Sequence, residues 1–268
     1  MSADESTHPP MSDSHVVVTG SSSGIGKATA IEMAKQGARK VLIHYRSNIQ
    51  GAEGTAKKIE GFGASATLCQ ADLSVSEDRE RLVEVAFREM GNIDAWVNNA
   101  GVDVLTGEIA SLDFEKKLEK LLTVDLVGTI SLSRMVVARW RLLGNKPVPP
   151  SMTFIGWDQA IKGMEGDAGQ MFGPVKAAVM AYASNLAQSV APNIRVNTVA
   201  PGWIKTAWGS ETTEYWSERA KSQALMNRWG EPNDVARAVV FLSQKDNQFF
   251  TGQTLEVNGG WNRRYHQG

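Results

Sequence analysis

The stretch His15–Gly37, HVVVTGSSSGIGKATAIEMAKQG, decides the fold. Its run of valines reads as a short buried strand that ends in a turn at Thr19 and Gly20. From Gly26 an amphipathic pattern runs to a closing Gly37 and reads as a helix. Between strand and helix lie Gly20, Ser22, Ser23, Gly24, Ile25 and Gly26. Glycines there permit a tight bend and let backbone N–H groups approach an anion closely. The positive end of the following helix faces the same point. Such a turn can be a mere β–α connection, but its place at the head of the pattern favours a pyrophosphate cradle.

Working outward, apolar runs alternate with amphipathic segments almost to the C-terminus. KVLIHY (40–45), SATLCQADLS (65–74), IDAWVNNAG (93–101), SMTFIGW (151–157), IRVNTVAPG (194–202) and QTLEVNGG (253–260) read as strands. Helices are expected through residues 51–63, over 77–91, along a long stretch from Phe114 to Leu143, and from near Gln170 to Val190. Strands alternating with helices predict an α/β fold: one doubly wound parallel sheet, Rossmann-type, of about seven strands, with helices on both faces. No internal repeat or low-complexity tract interrupts it. A single domain is expected over 15–268, preceded by a polar, disordered lead-in over 1–14.

The 268 residues carry a net charge of −1, which offers no electrostatic argument for nucleic acid or an anionic membrane surface. No apolar run is read as long enough to span a bilayer, and the N-terminus has no secretory pattern. The lone Cys69 excludes an intramolecular disulfide and fits a reducing, cytoplasmic setting. His8, His15, His44 and His266 form no metal-ligand spacing, and none is placed to serve a nucleophile, so neither a metal site nor a Ser-His-Asp hydrolase is expected.

TGSSSGIG (19–26), Ala71-Asp72 before Leu73, NNAG (98–101), Lys176, RVNTVAPG (195–202) and TGQTLEVNGG (251–260) occur in order, and together they resemble the short-chain dehydrogenase/reductase family, in the overall pattern of its 3-oxoacyl-[acyl-carrier-protein] reductases. The resemblance covers nearly all the chain after about residue 15. It implies nicotinamide-dependent carbonyl/alcohol oxidoreduction of a small molecule and a homotetramer or dimer built on the long helices and the last strand. It also implies that Asp72 and Leu73 flank the adenine, that Asn98, Ala100 and Gly101 line the ribose side, and that Pro201, Gly202, Ile204 and Thr206 hold the nicotinamide amide.

The second strand ends His44-Tyr45-Arg46-Ser47-Asn48, with no carboxylate for the adenosine ribose. A guanidinium at Arg46, helped by Ser47 or Asn48, matches a 2′-phosphate, which favours NADP (NADPH) over NAD. A solvated surface arginine is the plainer reading of Arg46.

The family's chemistry is run by an Asn-Ser-Tyr-Lys set, and here three of the four depart. Lys176 matches the lysine that holds the ribose. Four residues earlier, on the same helix face, Phe172 stands where the tyrosine is expected, without a hydroxyl. The end of the fifth strand offers Gly156, Trp157, Asp158 and Gln159 and no serine, and Asp125 stands where the asparagine is expected. Asp158 could replace the acid if burial raised its pKa, or could cap a turn. Asp125 could join a relay or pair with a neighbouring cation, and Lys176 could itself supply a proton.

The segment after the sixth strand holds Trp203, Trp208, Tyr215, Trp216 and Trp229. By resemblance it covers the substrate, with Trp203 and Trp208 as first contacts beside Trp157 and Phe172, which suits an apolar or planar ligand. The same rings could instead pack a covering helix or a subunit interface. Two functions stay open: an oxidoreductase with an atypical active site, or a catalytically silent NADP(H)-binding sensor or partner subunit.

Overall fold

The computed structural model describes residues 9–207, 209 and 212–263. Trp208 lies outside the described residues.

The strands are β1 (His15–Val18), β2 (Lys40–Tyr45), β3 (Ser65–Gln70), β4 (Ala95–Asn98), β5 (Ser151–Ile155), β6 (Arg195–Pro201) and β7 (Thr254–Val257). They form a seven-stranded sheet in the order β3-β2-β1-β4-β5-β6-β7, every neighbouring pair parallel. This is the doubly wound Rossmann-type α/β architecture that the alternation predicts. Every residue of β5 and β6 is buried, as expected of strands covered on both faces. The two-residue period sorts them: Val17, Leu42, Trp96, Met152, Phe154 and Val196 join the core on one face, and Val16, Val18, Ile43, Val97 and Val199 the other.

Helices α1 (Gly24–Lys35), α2 (Ile49–Glu60), α3 (Ser76–Met90), α4 (Phe114–Leu121), α5 (Thr129–Leu142), α6 (Gly166–Val190), α7 (Glu214–Gln223) and α8 (Pro232–Ser243) connect and cover the sheet. After β3 the chain returns past β1 to form β4 on its other side, so the strand order reverses between β1 and β4. The crevice that opens beyond the strand ends at such a reversal is where open α/β sheets bind ligands.

Four expectations change. Residues 9–14 of the lead-in are ordered: from residue 9 the chain packs under α1, where Met11 is fully buried and its N–H bonds Gln36 O at 2.9 Å. An apolar methionine among polar neighbours gave no periodic signal to find it by. The long helix is not uniform, because a π-helical segment, Leu122–Gly128, joins α4 to α5. The whole stretch Phe114–Leu142 is, by length and composition, apolar enough to cross a bilayer, contrary to the sequence reading. In this fold its apolar stripe, Leu132, Val136 and Trp140, lies in the core. Finally, α6 starts at Gly166, ahead of the expected Gln170, and tolerates Pro174 within it.

Candidate active site

A cleft of ≈ 630 Å³ opens at the β1/β4 reversal and runs to the ends of β5 and β6. Its floor is the turn after β1. Gly20 and Gly24 adopt φ of +63° and +54°, a region that disfavours side chains. A Cβ on Gly20 would lie 2.8 Å from Ala100 Cα, so only a glycine lets the two turns touch. The N-terminus of α1 carries no side-chain cap and no acidic residue in its first turn. Its N–H groups and dipole therefore face the cleft, which makes a cradle suited to a pyrophosphate. Gly20, Ser22, Ser23, Gly24 and Ile25 line it. Gly26 does not. It sits behind the turn, where a Cβ would come within 2.3 Å of Gly20 O, and its role is to let α1 pack against β1.

Three polar side chains brace this floor. Asn99 Nδ2 donates to Thr19 O at 2.9 Å and to Gly20 O at 3.1 Å. Thr19 Oγ1 accepts from Asn99 N and Ala100 N, each at 2.9 Å. On the other side Gly20 N donates to His44 Nδ1 at 2.9 Å, so the proton of the neutral ring is on Nε2, which donates to Ala71 O at 3.0 Å. Burial lowers the His44 pKa to about 4, keeping the ring neutral and its Nδ1 an acceptor. Neither His44 nor Asn99 was singled out from the sequence. The signal for His44 was its place as a polar residue inside an apolar strand.

The expected ribose residue Asn98 is corrected to a structural one. It is buried, accepts from Trp96 Nε1 at 3.2 Å and donates to Ser133 Oγ at 3.1 Å. Strand alternation turns Asn98 into the core and leaves Asn99 to face the cleft. Ala100, Gly101, Asp72, Leu73, Arg46 and Ser47 line the cleft, as do Pro201, Gly202, Ile204 and Thr206.

At the far end the structure brings together Lys176, Asp125, Phe172, Trp157 and Trp203. Lys176 Nζ pairs with Asp125 Oδ2 at 3.0 Å, and Asp125 Oδ1 accepts from Val102 N at 2.8 Å. Asp125 belongs to the π-helical turn, a distortion that recurs at functional sites. The fit there is close: a Cβ on Gly101 would lie 2.7 Å from Asp125 Oδ2. Phe172 packs against Val102, Val104, Leu121, Met171 and Val175 while its ring borders the cleft. Leu105, Val124, Met164 and Ala168, unmarked in the sequence, complete the apolar wall.

Asp158 does not join them. It is only 3% exposed and is not among the residues lining the cleft. Its Oδ2 accepts from Asn258 Nδ2 at 3.0 Å, toward β7. Burial raises its pKa to about 6, against the hydrogen bond from Asn258 and the nearby Lys162. The shift is the expected one, but the side chain leaves the turn on the wrong side to serve a substrate. The consequence is for stability. A carboxyl whose folded pKa is raised from 3.8 to about 6 contributes stability that is present below the lower value and lost as pH rises through the higher. Such a shift corresponds to roughly 3 kcal/mol. Asp158→Asn is therefore expected to be more stable than the parent above pH ~6, with the difference vanishing toward pH ~4. Denaturant melts of both proteins across that range check it; a pH-independent difference would remove this assignment.

Over the cleft, the Trp203 ring lies 5.8 Å from that of Trp216, tilted, and 5.9 Å from that of Trp229, edge to face. Arg219 lies 5.1 Å over Trp216 and donates to Glu165 Oε2 at 2.7 Å, fastening α7 to the loop before α6. Trp203 and Trp229 line the cleft, whereas Trp216 packs behind Trp203.

Residues 20–262 match the family described as Enoyl-(Acyl carrier protein) reductase. The chain is 31% identical over 250 residues to the 3-oxoacyl-[acyl-carrier-protein] reductase of Aquifex aeolicus, covering 91% of this chain and 95% of that protein. A short-chain dehydrogenase from Burkholderia cenocepacia in complex with NADP superposes with a TM-score of 0.82 at 26% identity, over 94% of this chain and 98% of the other. The 3-oxoacyl-[acyl-carrier protein] reductase from Brucella melitensis in complex with NAD gives 0.82 at 26%, over 92% and 96%.

Proposed function

We propose, since the chain belongs to the short-chain dehydrogenase/reductase family, that it is an NADP(H)-dependent oxidoreductase of a carbonyl/alcohol pair with an atypical proton donor. The observation that carries this reading is the glycine-formed cradle continuous with a chamber holding Lys176. Gly20, Ser22, Ser23, Gly24 and Ile25 would hold the pyrophosphate, Asp72 and Leu73 the adenine side, and Lys176 the nicotinamide ribose. When bound, the nicotinamide supplies or accepts hydride.

The chain's own residues do the rest. Trp157, Phe172 and Trp203 exclude water and orient an apolar or planar substrate. Lys176, held by Asp125, would exchange a proton with a substrate oxygen. Buried Cys69 fits a reducing, cytoplasmic setting. Exposed Leu142 and Leu143 on and after α5, and Phe249 and Phe250 before β7, suit a homo-oligomer. The test is NADPH consumption, followed by nicotinamide absorbance, against a panel of apolar ketones and aldehydes. Absence of turnover with either NADPH or NADH would overturn the enzyme reading. NADPH binding without turnover would favour the silent module, which the missing hydroxyl at Phe172 supports.

Cofactor choice has its own prediction. Arg46, Ser47 and Asn48 line the adenosine end, and no carboxylate follows β2. A charge-assisted hydrogen bond contributes about 1.5–3 kcal/mol, so Arg46→Ala is expected to weaken NADPH binding by roughly 10–100-fold. NADH binding is expected to move by less than about threefold, since Arg46 would meet only the 2′-phosphate. Calorimetric titration of both nucleotides measures the ratio, and equal losses would remove the NADP assignment.

A further inference from the structure

The hydroxyl that Phe172 lacks, and the charge the chamber holds, point to a second class of substrate. This inference rests on the nucleotide reading above. A neutral carbonyl that receives hydride becomes an alkoxide and needs a proton. At this end of the cleft the groups around the acceptor are the rings of Trp157 and Phe172, the Lys176–Asp125 pair, and Asp103 at the mouth. The only cation among these, Lys176, is already matched by Asp125 at 3.0 Å. Asp103, which accepts from Leu105 N, Thr106 N and Thr106 Oγ1, leaves one carboxylate in excess. Aromatic faces and surplus negative charge are what an organic cation prefers. A cationic acceptor also removes the need for an acid.

We infer that this chamber accepts a planar iminium ion and reduces it to a tertiary amine. The reduced nicotinamide nucleotide is the two-electron donor. Its hydride forms the new C–H bond at the iminium carbon, the C=N π pair becomes the nitrogen lone pair, and the nucleotide leaves oxidised. The positive charge passes from substrate to nicotinamide and no proton is transferred. In this step Phe172 loses nothing by lacking a hydroxyl, because there is no oxyanion to protonate. Its ring instead lies against the cation, with Trp157.

The probe is N-methyl-3,4-dihydroisoquinolinium, a permanently charged iminium, compared with its neutral bicyclic counterpart 1-tetralone. NADPH binding to the full chain is measured first by calorimetry; no binding overturns the nucleotide reading itself. With the site filled by a tetrahydronicotinamide analogue of NADPH, which cannot give hydride, the iminium is expected to bind at least about tenfold more tightly than the ketone. Trp157→Leu is expected to weaken the iminium by about fivefold or more and the ketone by less. With NADPH, the iminium is expected to be consumed at a rate above the protein-free rate and flat across neutral pH. If NADPH binds but the ketone binds as tightly as the iminium, or the iminium is not turned over, the inference fails and the carbonyl reading stands on its own assay.

Discussion

Gly26→Ala is expected to lose pyridine-nucleotide binding, by at least about 100-fold, and to melt well below the parent protein. The added Cβ would stand 2.3 Å from Gly20 O, 2.4 Å from Asn99 Nδ2 and 2.9 Å from Gly20 C. Two of these atoms belong to the backbone of the turn, which cannot swing aside as a flexible side chain can. Either α1 must retreat from β1 or the turn must move. Both choices break the bonds from Asn99 to Thr19 O and Gly20 O that shape the cradle. Overpacking a core costs typically about 1–3 kcal/mol when side chains absorb it, and rigid backbone places this site at the upper end or beyond. The control is Gly54→Ala in α2, where nothing lies within 4 Å of the new Cβ. There the better helix propensity of alanine should stabilise by about 0.5–1 kcal/mol and leave binding alone. Calorimetry with NADPH and a thermal melt of each variant decide it. If Gly26→Ala still bound nucleotide like the parent, the cradle described here would be misassigned.

Lys176→Met is expected to be the most destabilising change at the chemical end of the cleft, because of the residue it abandons. Asp125 is 3% exposed and would keep one N–H donor, from Val102, but no counter-charge. Removing one partner of a buried pair typically costs about 3–5 kcal/mol, much of it from the stranded charge. Nucleotide binding should fall as well if Lys176 holds the nicotinamide ribose as proposed. The double variant Asp125→Asn/Lys176→Met separates the two effects. It should recover most of the stability, because an amide needs no counter-charge, while binding stays weak. Denaturant melts and calorimetry on the single and double variants form the cycle. Additive stability losses would mean that the pair is not coupled, and recovered binding would free Lys176 from the nucleotide.

These outcomes bear on how much could be read in advance. The β1 turn and α1 were legible because the constraint is local: a strand, a glycine turn and a helix within 23 residues, His15 to Gly37. The sheet was legible because each strand keeps its apolar residues together, and the cleft-lining residues of the later turns came through resemblance. Asn98 was misread by one position, since a two-residue period turns it into the core and leaves Asn99 beside Gly20. Of the two roles open to Asp158, the acid depended on its direction: Trp157 faces the cleft and the next residue turns toward Asn258. The π-helical turn was invisible, because one widened turn in a helix leaves the apolar pattern nearly unchanged. It nonetheless belongs to the segment that carries Asp125 to Lys176.

The sequence by itself determined the parallel α/β layering, the position of the cradle, and the absence of a tyrosine hydroxyl beside Lys176, since each depends on residue type at short spacing. Only the tertiary structure decided that Asp125 is the partner of Lys176, that His44 braces the cradle, and that Asp158 stands outside the chamber. Those facts depend on the direction of side chains brought together from positions as far apart as Asp158 and Asn258. That direction is set by register and packing across the sheet, which no local pattern encodes.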